Sequence, residues 1–276
     1  MTGETSIGPA VLSDEHTAAP IVCRILGGDL EVAAMTHRGG RRENQDRFLM
    51  APEQDLLIVA DGVGGLRDGG LAATLACESI LADVTAGLAL DRAVSRASTA
   101  VAKESVTRGL SSGMGTTVVA LRWRAARMEL VWVGDSSART YSDGACHHLT
   151  RDHTQVSEWT EQGILTESTA SGHLNKHVLT QALGITVASE LRLGRNGGAL
   201  RQGEWIMLAS DGVTNTLSAS DISAVLDTSH DVKAATEALM KATLDRAPSD
   251  NVTMVLARWT GASGTAEAMP RVYPHA

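Results

Sequence analysis

The sequence predicts an α+β fold built on antiparallel sheets, and three observations carry that reading. Strand-like and helix-like patterns come in blocks: strands, two helices, many strands, two further helices, then a last strand. Most strands are joined by short turns, such as Ser142-Asp143-Gly144, which suit hairpins. The region 110–150 has no helix to serve as a crossover, which disfavours the competing doubly wound parallel sheet.

Taken in order, residues 1–20 lack both the basic start and the continuous apolar stretch of a signal peptide, and read as a flexible leader. Residues 21–259 read as a single domain, because a chain of 276 residues buries a sizeable core in one unit or at most two. Alternation or apolar runs mark strands near 30–36, 46–51, 55–60, 114–123, 127–134, 138–142, 204–210 and 251–258. Leu71, Leu75, Ile80, Leu81 and Val84 recur at helical spacing, and an alanine-rich run from Leu90 ends at Gly109; both read as packing helices. From about 153 to 178 the chain is polar, with Trp159 and Ile164 as its few apolar anchors. Helices near 218–227 and 231–245 precede the last strand, and residues 260–276 read as a flexible tail.

Composition excludes several functions. With 43% hydrophobic and 20% charged residues, the chain falls among soluble globular proteins. The uncharged stretch 109–121 is broken by serines and glycines and is shorter than the roughly 20 apolar residues of a membrane helix. A net charge of −8, with no basic stripe, argues against nucleic-acid binding. Cys23, Cys77 and Cys146 are far apart with no CxxC, so neither a zinc knuckle nor a disulfide framework is expected, and a reducing cytoplasm is. His173 and His177 are four apart, but Gly172 and Asn175 make a loop of that segment, and HExxH, GxSxG and GxxxxGK[ST] patterns are missing.

The acids carry the chemistry. The strand-like run Leu56-Leu57-Ile58-Val59-Ala60 ends on Asp61-Gly62, and Ile206-Met207-Leu208-Ala209 ends, after Ser210, on Asp211-Gly212. A third strand delivers Asp135, and Asp250 stands at the start of the last one. Singly, each acid is a plausible turn former beside glycine or asparagine. Together, carboxylates at strand ends without histidine or cysteine partners suit hard cations such as magnesium or manganese. Two such ions roughly 3.5 to 4 Å apart lower the pKa of a bridging water and make a nucleophile at neutral pH. The small residues after each acid would let backbone and water approach closely, and the Gly62 carbonyl is itself a candidate ligand.

The segments RRENQDR, VADGVGG, GMGTTVV, VGDSSAR, LTRDHT, LTQALG, LASDGV and SDNVTMV stand in this order along the chain. In that order they resemble the metal-dependent protein phosphatases of type 2C, particularly compact bacterial members, over roughly residues 30 to 258. The resemblance implies a four-layer α-β-β-α sandwich, two antiparallel sheets face to face with helices outside, and hydrolysis of phosphoserine and phosphothreonine in proteins. It implies two manganese or magnesium ions, with Asp61 bridging them, Asp211 and Asp250 on the first, and Gly62 on the second. Asp135 with Asp211 matches a weaker third site, Asp46 would support metal-bound water, and Asn251 would orient Asp250 or that water. Arg41 has the spacing of the family's phosphate-binding arginine, with Arg42 and then Arg38 as competitors.

Some positions depart from the family pattern. Gln45 replaces a common glutamate and removes a charge near the second metal. Val63 stands where some relatives have a histidine, which leaves metal-bound water to protonate the leaving alkoxide. Ser137 replaces an arginine for which Arg139 is the nearest substitute. The stretch 153–178 matches a flap over the channel, with Lys176 at a position often held by arginine. The implied partners are phosphorylated proteins of a cognate Ser/Thr kinase. The alternative is a pseudophosphatase that binds phosphoproteins without hydrolysis.

Overall fold

The computed structural model describes residues 10–13, 16–17, 19–25, 29–63, 68–124, 127–170, 172–199 and 201–260. Residues 1–9 of the expected leader, the expected tail from 261 onward, and Gly64 and Gly65 of the VADGVGG segment lie outside the described residues.

Among the described residues every strand pair is antiparallel, so the doubly wound alternative falls. The chain begins with β1 (Val11–Leu12), β2 (Ile21–Ile25), β3 (Leu30–His37), β4 (Asp46–Ala51) and β5 (Leu56–Asp61). Helices α1 (Gly69–Thr85) and α2 (Leu90–Thr107) follow. Next come β6 (Val118–Arg124), β7 (Arg127–Val133), β8 (Ser137–Ser142) and β9 (Ala145–His148), then short helices α3 (Gln155–Glu161) and α4 (Glu167–Ala170). The last part holds β10 (Gly194–Gly198), β11 (Trp205–Ala209), α5 (Asp211–Thr214), α6 (Ala219–Thr228), α7 (Val232–Leu244) and β12 (Val252–Trp259).

Two six-stranded sheets result, ordered β1-β4-β5-β6-β7-β10 and β2-β3-β12-β11-β8-β9. Period-two alternation makes each strand two-faced, and the buried side chains sort accordingly. Phe48, Met50, Leu57, Val59, Val119, Leu121, Ile206, Leu208 and Val255 pack between the sheets. Leu49, Ile58 and Ala60 turn the other way, onto Ala73, Cys77, Ile80 and Val94 of α1 and α2. Met207, Met254 and Leu256 turn outward onto Ile222, Leu226, Leu239 and Met240 of α6 and α7. Three apolar layers between four layers of secondary structure make the α-β-β-α sandwich. It buries both faces of both sheets, which is why the strands read as near-continuous apolar runs.

Some elements differ from expectation. Within the expected leader, Val11 and Leu12 pair with Met50 and Leu49 and Ser13 bonds to Phe48, because the edge of β4 offers free backbone groups, while Thr17 is buried against Thr36 of β3. The strand expected from 114 starts at Val118; residues before it form only isolated bridges, Gly62 to Thr116 and Thr116 to Leu183. β10 is a Gly-Arg-Asn-Gly-Gly edge strand with no apolar pattern to announce it. Ile164, expected as an apolar anchor, is 64% exposed.

Candidate active site

The alternation that fills the inter-sheet layer continues beyond its apolar part. Counting by twos from Phe48, Val59, Leu208 and Val255 puts Asp46, Asp61, Ser210 and Thr253 on the same inner faces, at the edge where the sandwich opens. Asp46 and Asp61 are direct partners in the β4–β5 ladder. Asp46 is fully buried; its Oδ2 accepts a hydrogen bond from Ser210 Oγ at 2.7 Å, and its Oδ1 has no hydrogen-bond partner. Thr36, Thr253, Asn44 and Ser210 form the polar packing around it: Thr36 and Thr253 hydroxyls are 2.6 Å apart, and Asn44 Nδ2 donates to Thr36 Oγ1 at 2.8 Å.

Asp61 is held by its backbone. Its N–H donates to Thr117 Oγ1 at 3.2 Å, and its carbonyl accepts from Thr117 N at 2.8 Å and Thr116 Oγ1 at 2.9 Å. A side chain on Gly62 would place its Cβ 2.5 Å from the Gly69 carbonyl carbon at the start of α1, so only glycine lets that helix approach. Gly212 is tighter still, with a Cβ 1.8 Å from Asn251 O. Asp211 opens α5, where Asn215 Nδ2 donates to its Oδ2 at 3.1 Å and its Oδ1 has no hydrogen-bond partner.

Electrostatics follow from this crowding. Burial, aided by the Asp211 and Asp250 charges and opposed by the Ser210 hydrogen bond, pushes Asp46 up to about 7. Asp61 is held well above the usual carboxylate range by burial and then by Asp46, Asp211 and Asp135. Asp135 is raised by burial and by Asp211. Asp211 is raised by burial and Asp250, opposed by His177 and Arg41. Arg41 Nη2 contacts Asp250 Oδ2 at 2.7 Å, with both side chains partly exposed.

Asp61, Asp135, Asp211, Asp250 and Arg41 line a cavity of about 720 Å³. A second lobe of about 380 Å³ shares Arg41, Asp61 and Asp250 and adds Arg42, Gln45 and Gly62. Asp46 sits behind these acids, and Arg139 is not among the residues lining either lobe. The Asn251 side chain is engaged otherwise than expected. Its Oδ1 accepts from Gln45 N at 2.8 Å and its Nδ2 donates to the carbonyls of Arg38 and Glu43, so it braces the loop carrying Arg41, while its backbone N–H donates to Asp250 Oδ1 at 2.8 Å.

Sequence reasoning missed Ser210, Thr117 and His177. Ser210 and Thr117 were within reach, since each continues the inner-face alternation of its strand. His177 was not: the two loop histidines part company, His173 meeting the Trp159 ring at 5.4 Å while His177 Nδ1 comes 3.8 Å from Asp211 Oδ2.

The donor set fits a hard divalent cation: oxygens alone, mutually repelling, with unpartnered carboxylate oxygens on Asp46 and Asp211. Among the described residues no three acidic, histidine or cysteine side chains are grouped closely enough to hold a metal ion as they stand.

A sequence model of the family described as Protein phosphatase 2C matches residues 35–247. The serine/threonine protein phosphatase PstP of Mycobacterium tuberculosis is 31% identical over 235 residues, covering 83% of this chain and 45% of the relative. This chain therefore spans less than half of that relative's length. Protein phosphatase PhpP of Streptococcus pneumoniae is 28% identical over 239 residues, covering 82% of this chain and 96% of its own. The solved catalytic domain of PstP in complex with two manganese ions superposes with a TM-score of 0.73 at 28% identity, covering 84% of this chain and 99% of that one.

Proposed function

This chain belongs to the protein phosphatase 2C family, and on that premise we propose that its acid-lined cavity hydrolyses phosphoserine and phosphothreonine in proteins with manganese or magnesium. The observation that carries the reading is the gathering of Asp46, Asp61, Asp135, Asp211 and Asp250 at one open edge of the sandwich, with Arg41 beside them. Asp61, Asp211, Asp250 and the Gly62 carbonyl would hold two cations, and Asp135 with Asp211 a weaker third. When bound, such ions neutralise the acids and supply a water acidic enough to attack phosphorus at neutral pH.

The chain's own residues do the rest. Arg41 offers a planar fork that grips two phosphate oxygens and turns the ester for in-line attack. Asn251 holds the Arg41 loop at the height of the acids through its bonds to Arg38, Glu43 and Gln45. Ser210 and Asn44 keep Asp46 in place behind Asp61. Val63 lines the cavity and offers no proton.

The substrates would be products of a cognate Ser/Thr kinase, met in the cytoplasm; among the described residues no helix is long and apolar enough to cross a membrane. The test is p-nitrophenyl phosphate hydrolysis by metal-stripped protein, with manganese, magnesium, calcium or zinc restored, beside a phosphothreonine peptide. Turnover that appears with manganese and vanishes in Asp211→Asn is the expected result. Silence with every metal, from a folded protein that still binds manganese, would leave phosphoprotein binding without hydrolysis.

A further inference from the structure

The two sheets face each other at the open edge with acids on both sides. Asp46 and Asp61 stand on β4 and β5 of the first sheet, whereas Asp211 follows β11 and Asp250 precedes β12 in the second. Repulsion between carboxylates acts to part the sheets there. Affinity for a hard cation follows the rigidity of its site as well as the number of charges, so the spacing between the sheets has to be held.

Residues 11–17 hold both sheets at once. Val11 and Leu12 pair with Met50 and Leu49 of β4, and Ser13 extends the run: its N–H donates to Phe48 O at 2.9 Å and its Oγ accepts from Phe48 N at 2.9 Å. Four residues on, Thr17 grips Thr36 of β3, in the other sheet. Its N–H donates to Thr36 O at 3.1 Å, its Oγ1 donates to the same carbonyl at 3.2 Å, and Thr36 N donates back to that Oγ1 at 2.9 Å. The His16 ring meets the His37 ring edge-on, with centroids 4.9 Å apart. Ser13 and Thr17 are both buried, where a bond left unmade costs most.

Each grip lies close to an acid without touching one. Phe48 is two residues from Asp46 on the same inner face. Thr36 Oγ1 accepts from Asn44 Nδ2 at 2.8 Å, and Asn44 Oδ1 in turn accepts from Asp46 N at 3.1 Å. The Thr36 hydroxyl is also 2.6 Å from that of Thr253, in the strand that begins just after Asp250. Neither Ser13 nor Thr17 lines the cavity.

We infer that residues 11–17 form a clip across the two sheets, and that Ser13 and Thr17 are positioning residues which fix the spacing of Asp46 and Asp61 against Asp211 and Asp250 for cation binding. The inference rests on the metal-dependent reading of the site. The clip acts through Phe48 on one side and through Thr36 and Asn44 on the other. Partners behind the ligands of a metal typically change its affinity by about 10- to 100-fold. The lower end is expected here, because the backbone bonds of the clip survive side-chain substitution.

The test measures manganese binding to the metal-stripped full chain by titration calorimetry, beside the manganese concentration that half-activates p-nitrophenyl phosphate turnover. Ser13→Ala and Thr17→Val together should raise both values by about tenfold, with turnover recovered at saturating manganese. Thr17→Val alone should raise them about threefold, and Thr17→Ser, which keeps the hydroxyl, should match the wild type. Ser218→Ala, which removes a helix cap at α6, should leave manganese affinity unchanged although it costs stability. A double variant that melts earlier yet binds manganese as the wild type does would overturn the inference and leave the clip a matter of stability alone. Equal weakening in Ser218→Ala would overturn it too, since any loss of stability would then suffice. If the double variant does not fold, equal affinities in Thr17→Val and Thr17→Ser would overturn it. A wild type that binds no manganese would sink the metal reading as well.

Discussion

The inter-sheet layer changes character within one residue pair. Phe48, Leu57, Val59 and Leu208 are apolar and almost fully buried, whereas Asp46, Asp61 and Ser210, next along the same inner faces, are polar or acidic. Both regions are built by the same strands with the same alternation, yet one stabilises the fold and the other opposes it. In the apolar part, removing side chains from water drives burial. At the acidic end the same burial raises carboxylate pKa values and leaves oxygens of Asp46 and Asp211 without hydrogen-bond partners. The first region is rigid enough to hold the second, which collapse or charge separation would otherwise relieve. Repulsion kept in place by a packed layer is what a divalent cation can bind.

The contrast can be broken at either end. The largest effect is expected at the acids themselves: Asp211→Asn should lower turnover by about 10⁴-fold, about 5.4 kcal/mol in barrier. Its thermal midpoint should stay level or rise, since a like charge is removed from the cluster. A variant that loses turnover and melts early would instead place Asp211 in the structural region, which calorimetry beside the assay would reveal.

Phe48→Ala attacks the other side. Phe48 is among the largest fully buried side chains and has apolar neighbours from both sheets. Its truncation should destabilise the fold by about 4 kcal/mol, measured by urea unfolding. The manganese dependence of the remaining folded fraction should be unchanged.

A smaller effect sharpens the boundary through pH. In the unfolded chain Asp46 titrates near the ordinary aspartate value of about 3.9, while in the folded protein it is pushed up to about 7. Between those values the native state binds more protons than the unfolded one, so this group makes the metal-free protein less stable as pH rises from about 4 to about 7. Asp46→Asn, whose amide oxygen can still accept from Ser210, should flatten that slope and stabilise the metal-free protein at pH 7 by about 2 kcal/mol. Saturating manganese should reduce the difference between variant and wild type; unfolding curves at several pH values would show an unchanged slope if the reading is wrong.

The smallest change sets the scale for a site in neither region. Ser218 and Asp221 form a reciprocal cap at the start of α6, with Asp221 also held by Arg246. Ser218→Ala should lower stability by about 1 kcal/mol and leave turnover and manganese affinity unchanged.

Much of this was legible in the sequence. Alternation or apolar runs located β3 to β8, β11 and β12 to within a few residues, because strands with one or both faces buried carry apolar residues at every second position or along their length. The Asp-Gly pairs at 61–62 and 211–212 marked the acidic end through their recurrence after apolar runs, since either one alone reads equally as a turn former. β1 and β10 left no such trace: edge strands are held by backbone pairing to a neighbour, which short or glycine-rich segments supply as well as apolar ones. Asn251 was read as a partner of Asp250, and nothing local reveals that its side chain reaches back to residues 38–45.

By itself, then, the sequence determined the class of fold, the antiparallel strands and the acids that end them, because periodicity and residue type are local properties that survive without a partner. Only the tertiary structure decided which carboxylates meet, which of their oxygens lack a hydrogen-bond partner, that Arg41 rests on Asp250, and that His177 rather than His173 reaches the cavity. Those are distances between segments remote in the chain, and they are fixed by how two sheets pack face to face.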